Sequence, residues 1–245
     1  VAISKVTHDI VETVAPETES HYLPHAVNEN IFKKLDPSEY KDFAKDHGYG
    51  DKFTFFWNNR NARRKQSGTL IWWFKEFLDE IGSDNARLVM HTDPSDPHGQ
   101  NLTVLLNELG LTKGEVLISN QKIPPAVLNF MYNASDCTIN ISDAEGFGLA
   151  TLESLSAGTP IIVNMTGGLQ EQVTDGESWF GVGIEPASKC VIGSQEVPYI
   201  YEDRICKEDF LNALKQIYNT SYVLKVTNTT FNKGDICDLL KLDKT

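Results

Sequence analysis

Apolar and polar positions along this chain follow two spacings. Short apolar runs at residues 53–57, 87–91, 115–118, 136–141 and 160–163 have the length of strands and read as strands covered on both faces. Between them the spacing turns helical. Residues 68–81 put Leu70, Ile71, Phe74, Phe77, Leu78 and Ile81 on one stripe, and helices are also predicted over 101–109, 124–132 and 148–157. The third of these four opens on Pro124, where a missing N–H costs least. Strands alternating with helices predict right-handed βαβ units: an α/β fold with a doubly wound parallel sheet. In such sheets ligands sit beyond the carboxyl ends of the strands, so the loops after strands are where chemistry is sought.

The ends are less regular. Residues 1–4 read as a bare apolar strand, so the chain is expected to be the second part of a longer protein. Residues 182–201 mix Gly, Pro and scattered apolar positions and read as a loop insertion. A helix is predicted over 207–218, and a short one after Gly234.

Composition narrows the function classes. With 22 basic and 34 acidic side chains the formal net charge is −12, which argues against a nucleic-acid-coated protein but leaves room for a local anion site. No apolar run is long enough for a transmembrane helix, and no leader pattern opens the chain. The four cysteines are far apart and form no CxxC pair, so neither a zinc site nor a disulfide framework is expected. Of six Asn-x-Ser/Thr triplets, those at Asn140 and Asn164 fall in or at the end of strands rather than on exposed loops. Both features favour a reducing, cytoplasmic compartment.

Two segments carry candidate chemistry. In residues 140–153 a strand runs through Glu145-Gly146-Phe147-Gly148-Leu149 into a helix bearing Glu153. Glycines beside free helix-start N–H groups make an anion site, and carboxylates accept paired hydrogen bonds from vicinal diols such as those of sugars. A tight turn with two solvated glutamates explains the same residues. The second segment, 58–65, carries Arg60, Arg63, Arg64 and Lys65 after the first strand of the repeat. Such a cluster suits a diphosphate, or is a solvated basic loop. Asp93-Pro94-Ser95-Asp96 is read as a turn, His91 and His98 as loop or core residues, and His25 as a hinge residue, with a place on the inter-domain cleft as the lesser alternative. Trp57, Trp72, Trp73, Phe53, Phe55 and Phe56 are read as core aromatics.

Together these segments resemble a known family. Arg60-x4-Lys65 followed by Glu145-x7-Glu153 looks like the donor-binding half of a GT-B glycosyltransferase, close to retaining family 4 with its EX7E motif. Further segments agree in order: Leu23-Pro24-His25-Ala26-Val27-Asn28 with Phe32 at a hinge, Tyr132-Asn133-Ala134-Ser135-Asp136, Ala157-Gly158-Thr159-Pro160, and Gly167-Gly168 with Glu171 and Asp175-Gly176. Ala26, Asn28 and Asn59 depart from the family's usual Gly, Asp and Gly.

The resemblance implies a Rossmann-like domain that transfers a hexose from a nucleoside-diphosphate sugar, with retention, to an unidentified glycan, lipid or protein acceptor. It implies that Arg60 and Lys65 clamp the diphosphate, that Glu145 holds sugar hydroxyls, and that Gly146, Phe147, Gly148 and Leu149 line the donor with backbone groups. Glu153 would hold the ribose. Ser119, Asn120, Gln121 and Ile123 would lie against the base, with a slight preference for GDP-mannose over a UDP-sugar. No obligatory cofactor or metal is implied. The expected segmentation is 1–30 as the end of a preceding acceptor domain and hinge, 31–220 as the nucleotide-sugar-binding domain, and 221–245 as tail. Alone, the chain is expected to be inactive. Rival readings are a GT-B nucleotide-sugar epimerase, a glycosidase using Glu145 and Glu153 as an acid–base pair, and a non-catalytic nucleotide-binding module.

Overall fold

In the computed structural model, which describes the backbone of residues 1–226 and the side chains of residues 1–220, β1 (Phe53–Asn58) lies inside a six-stranded parallel sheet. The other strands are β2 (Ala86–His91), β3 (Val116–Ser119), β4 (Cys137–Asn140), β5 (Ile161–Asn164) and β6 (Gly181–Ile184), in the order β3-β2-β1-β4-β5-β6. β1 pairs with β2 from Phe53↔Ala86 to Asn58↔His91, and with β4 on its other edge. The order reverses between β1 and β4, so the loops after these two strands flank the crevice where a ligand fits such a sheet.

The helices are α1 (Lys5–Val14), α2 (Pro37–Asp46), α3 (Ser67–Ile81), α4 (Leu102–Glu108), α5 (Pro125–Ala134), α6 (Leu149–Ser156), α7 (Gln170–Val173) and α8 (Lys207–Val226). β1 shows why the sheet is covered twice. Phe53, Phe55 and Trp57 pack into the cluster with α3 and α8, whereas Phe56 turns to the other face and meets Tyr132 and Phe32. Alternation with a period of two therefore feeds two cores from one apolar run. On α3 the predicted stripe is buried except Ile81, which is half-buried at its end, and Trp72 lies outside it and is 53% exposed, so it is not a core aromatic.

Two further expectations are corrected. Residues 1–4 do not form a strand: Ala2 makes one isolated bridge to Tyr22, and Ser4 caps α1 by accepting the Thr7 N–H. Residues 182–201 are not a loop insertion. β6 completes the sheet beside β5, and β7 (Ser188–Val191) and β8 (Tyr201–Arg204) form an antiparallel hairpin. Glycine hid β6, because Gly181 and Gly183 give no apolar signal. Both are needed for contact, since a Cβ on Gly181 would lie 1.9 Å from the Ile161 carbonyl oxygen. The unforeseen α2 carried a readable signal, a capping box between Asp36 and Glu39 with Pro37 in the first turn. The helix expected after Gly234 lies outside the described residues. No helix among the described residues is long and apolar enough to cross a membrane.

Candidate donor site

The loop after β1 is turned into α3 by Gln66, whose φ of 57° is left-handed. Lys65, just before it, is buried, and its ammonium pairs with the Glu145 carboxylate from the loop after β4. Burial pulls the Lys65 pKa down, and Glu145 partly restores it. Arg64 donates to the Ala144 carbonyl at 2.5 Å and stands 3.7 Å from Glu145. Arg60 goes elsewhere: its guanidinium meets Asp96 at 2.6 and 3.3 Å and His98 Nδ1 at 2.7 Å. That pairing holds the Asp96 carboxyl well below the usual range. Arg63 donates twice to Glu202, at 2.8 and 2.7 Å.

The basic cluster is thus not a set of free cations. Three carboxylates, brought from the loop after β2, the loop after β4 and the β7–β8 hairpin, answer its four charges. Arg60 and Lys65, which the resemblance pairs, are held by different loops. Asp93-Pro94-Ser95-Asp96 is a turn, with Asp93 accepting the Ser95 N–H, but Asp96 has the second task of holding Arg60.

The loop after β4 ends at Gly148, whose φ is 93° and which starts α6. A Cβ there would lie 2.6 Å from Leu169 Cδ2 and 2.8 Å from Thr151 Oγ1, so the residue must be glycine. Gly167 and Gly168 back onto the same loop. The Gly168 N–H donates to the Glu145 carbonyl at 3.2 Å, and Gln172 donates to the Phe147 carbonyl at 2.5 Å. Leu149 is exposed at the start of α6, whereas the Phe147 ring is buried and meets His25 edge-on at 5.3 Å.

Glu153 sits on α6 and accepts the Tyr132 hydroxyl at 2.7 Å, and Asn58 Nδ2 donates to the same hydroxyl at 2.8 Å. Burial pushes the Glu153 carboxyl up, with the Tyr132 bond opposing. Neither Asn58 nor Tyr132 was assigned a role from sequence; Tyr132 was visible only as a motif letter. Because Glu153 is raised, its contribution to stability is present below the ordinary glutamate range and is lost as pH rises through the folded value. Relative to Glu153→Gln, the wild-type chain should therefore lose stability as pH climbs from about 4 toward neutrality. Tyr132→Phe should cost about 1 kcal/mol and raise the Glu153 pKa further. Thermal melts across pH check both.

Ser119, Asn120, Gln121 and Ile123 line a cavity of ≈ 440 Å³ floored by Phe43, Tyr49 and Val89. Ser119, Asn120 and Gln121 also border a second space of ≈ 350 Å³, whose other wall carries Arg60, His91 and Thr92. Two buried polar atoms on this wall, Asn59 Nδ2 and Thr92 Oγ1, have no hydrogen-bond partner among the described residues. His91 is held by Ser119 Oγ at 2.9 Å, and burial lowers its pKa. The structure thus brings Ser119, Asn120, Gln121 and Arg60 around one space, leaves Ile123 in the neighbouring cavity, and joins Lys65 and Glu145 in one pair.

Comparison with known proteins gives the family and the fold. The family model described as "Glycosyl transferases group 1" matches residues 41–189. A D-inositol 3-phosphate glycosyltransferase from Acidothermus cellulolyticus is 38% identical over 105 residues, which are 41% of this chain and 23% of that protein. HepE from Anabaena, solved with UDP and glucose, superposes with a TM-score of 0.68 at 15% identity, over 98% of this chain and 57% of that one. The C-terminal domain of a group 1 glycosyl transferase, LpcC from Francisella tularensis, superposes with a TM-score of 0.61 at 18% identity, over 87% of this chain and 97% of that one. The chain spans about a quarter of the curated relative and 57% of the Anabaena protein. By its matched segment it belongs to the glycosyl transferases group 1 family, on the Rossmann-like fold of a GT-B domain.

Proposed function

We propose that this chain binds a nucleoside-diphosphate sugar and is the donor-binding part of an enzyme that moves a hexosyl group to an acceptor, with retention. The observation that carries the reading is the buried Lys65–Glu145 pair at the crevice between β1 and β4. A shielded cation beside a carboxylate offers one group to a phosphate and one to sugar hydroxyls, where low local dielectric strengthens both. Lys65 and Arg60 take the diphosphate and stabilise the charge that grows on the leaving group. Glu145 and the backbone of residues 146–149 face the sugar. Glu153, oriented by Tyr132, takes the ribose diol, and Ser119, Asn120, Gln121 and Ile123 take the base. The amide groups of Asn120 and Gln121 suit guanine, so GDP-mannose is the first donor to try. The uridine ligand of the Anabaena neighbour makes a UDP-sugar the second. No protein-bound metal is needed in this scheme, and the acceptor is met by a preceding domain.

The glycosidase reading is disfavoured by geometry. Glu145 is engaged by Lys65 and Glu153 by Tyr132, so the two carboxylates serve separate neighbours. A thermal-shift panel of UDP-, GDP- and ADP-sugars tests the proposal, since a ligand at 100 times its dissociation constant adds roughly 2.7 kcal/mol. Calorimetry then separates the glutamates. Glu153→Ala should weaken bare nucleotide and sugar conjugate alike, whereas Glu145→Gln should weaken chiefly the conjugate. No shift with any nucleotide sugar sinks the reading.

A further inference from the structure

Three consecutive residues of β8 grip three loops of the candidate site between them. Glu202, 3% exposed, accepts both guanidinium arms of Arg63 on the loop after β1. Arg204 meets Asp143, on the loop after β4, at 3.1 Å, and also Glu202 at 3.1 Å. The Asp203 carboxylate accepts the Thr166 hydroxyl, on the loop after β5, at 2.7 Å, its carbonyl accepts Nδ2 of Asn164, the last residue of β5, at 3.0 Å, and its N–H donates to the Asp143 carbonyl at 2.8 Å. Side chains alternate along a strand, so Glu202 and Arg204 share one side and Asp203 takes the other. The strand is wedged between loops, not laid over them.

The attachment points are specific. Arg63 lies two residues before Lys65, and Asp143 two residues before Glu145. Asp143 is itself cross-tied to the first loop: its N–H donates to the Arg64 carbonyl at 2.8 Å, and the Gln66 amide donates to its carboxylate. Both members of the Lys65–Glu145 pair therefore hang from one ionic network, and that network is closed by β8. The family match ends at residue 189, so β8 lies outside the matched segment. The two loops also meet directly, through Arg64 on the Ala144 carbonyl and through Asp143 on Arg64 and Gln66, and β8 adds a hold on each of them from outside the motif residues. Each pair sets one shielded carboxylate, Glu202 or Asp143, against a partly exposed guanidinium, and paired geometry on a shielded partner holds position more firmly than a solvated single contact.

We propose that β8 is the positioning element of the donor site, with Glu202, Asp203 and Arg204 holding the loops after β1, β5 and β4 in the arrangement that receives a diphosphate. This rests on the donor-site reading above. None of the three need touch the ligand; Glu202 and Arg204 act through Arg63 and Asp143, and Asp203 through Thr166 and Asn164.

The test uses Glu202→Gln and Arg63→Gln in the full 245-residue chain, titrated with UDP, GDP and ADP, with hydrogen exchange followed at the same time. Expected are at least tenfold weaker binding of whichever nucleotide the wild type takes, and at least tenfold faster exchange at the amides of Lys65, Gln66 and Asp143. Exchange in β1, β2 and β4 should not change. Arg63→Lys, which keeps the charge but not the paired geometry, should fall between. A merely structural hairpin predicts faster exchange confined to β7 and β8 with unchanged affinity, and that result overturns the proposal. If Glu202→Gln does not fold, Arg63→Gln decides, because it breaks the same pair from its more exposed end. Lys65→Ala is the control. Binding lost there but kept in Glu202→Gln and Arg63→Gln overturns the positioning role alone, whereas a wild type that binds none of the three nucleotides overturns the donor-site reading and this proposal with it.

Discussion

Lys65→Ala is expected to weaken nucleoside-diphosphate binding by about 1.5 to 3 kcal/mol, the scale of a charged hydrogen bond lost from a shielded site. That is roughly a 10- to 100-fold rise in dissociation constant. The same change removes the partner of Glu145 and leaves that carboxylate, itself mostly shielded, with Arg64 at 3.7 Å as its one cation among the described residues. Stability should fall too, because an uncompensated carboxylate in a poorly solvated place is costly. The two effects can be separated. Lys65→Met with Glu145→Gln removes both charges and should recover most of the lost stability, while binding stays weak. Added salt should weaken the wild-type complex more than the double variant's. Calorimetry and thermal melts on the two variants measure this. Wild-type affinity in Lys65→Ala removes Lys65 from the site.

Gly167→Ala is expected to be among the most damaging single-methyl changes at the described glycines. Gly167 has φ 51°, and a Cβ there would lie 1.8 Å from the Glu145 carbonyl oxygen. No rotamer relieves that contact, because both atoms belong to the backbone or are fixed to it. The loop after β4 must move, taking Glu145 with it and breaking the Gly168 N–H bond to the Glu145 carbonyl. A cost of about 3 kcal/mol or more follows, at the upper end of overpacking. For a chain of this size the thermal midpoint should drop by roughly 6 to 12 °C. Gly176→Ala is the matched control: its φ of 95° is also positive, but the built Cβ meets nothing within 4 Å. It should show only the backbone penalty, about 1 kcal/mol. Equal midpoints for the two variants would show that the Gly167 contact relaxes at no cost. Nucleotide affinity should fall in Gly167→Ala and hold in Gly176→Ala, which places the damage at the site as well as in the fold.

Legible along the chain were the alternation of strands and helices and the loops that carry the candidate residues. Apolar runs such as Phe53–Asn58 and the stripe on α3 report burial directly, because a side chain's fate follows from its position in a period of two or 3.6. Glycines at turns are equally legible, since Gly148 answers a backbone requirement that no other residue meets. β6 was lost because its glycines carry no hydrophobic signal, and α1 because no stretch of its face is buried. The partners of the charged groups were decided by tertiary structure alone. Arg60 meets Asp96, Arg63 meets Glu202, and Lys65 meets Glu145 across 36, 139 and 80 positions of sequence. A charge in sequence shows that a side chain wants a counter-ion or water. Which of the 34 acidic side chains supplies it depends on how the sheet order brings loops together, and Coulomb attraction at contact distance leaves no local trace in the chain.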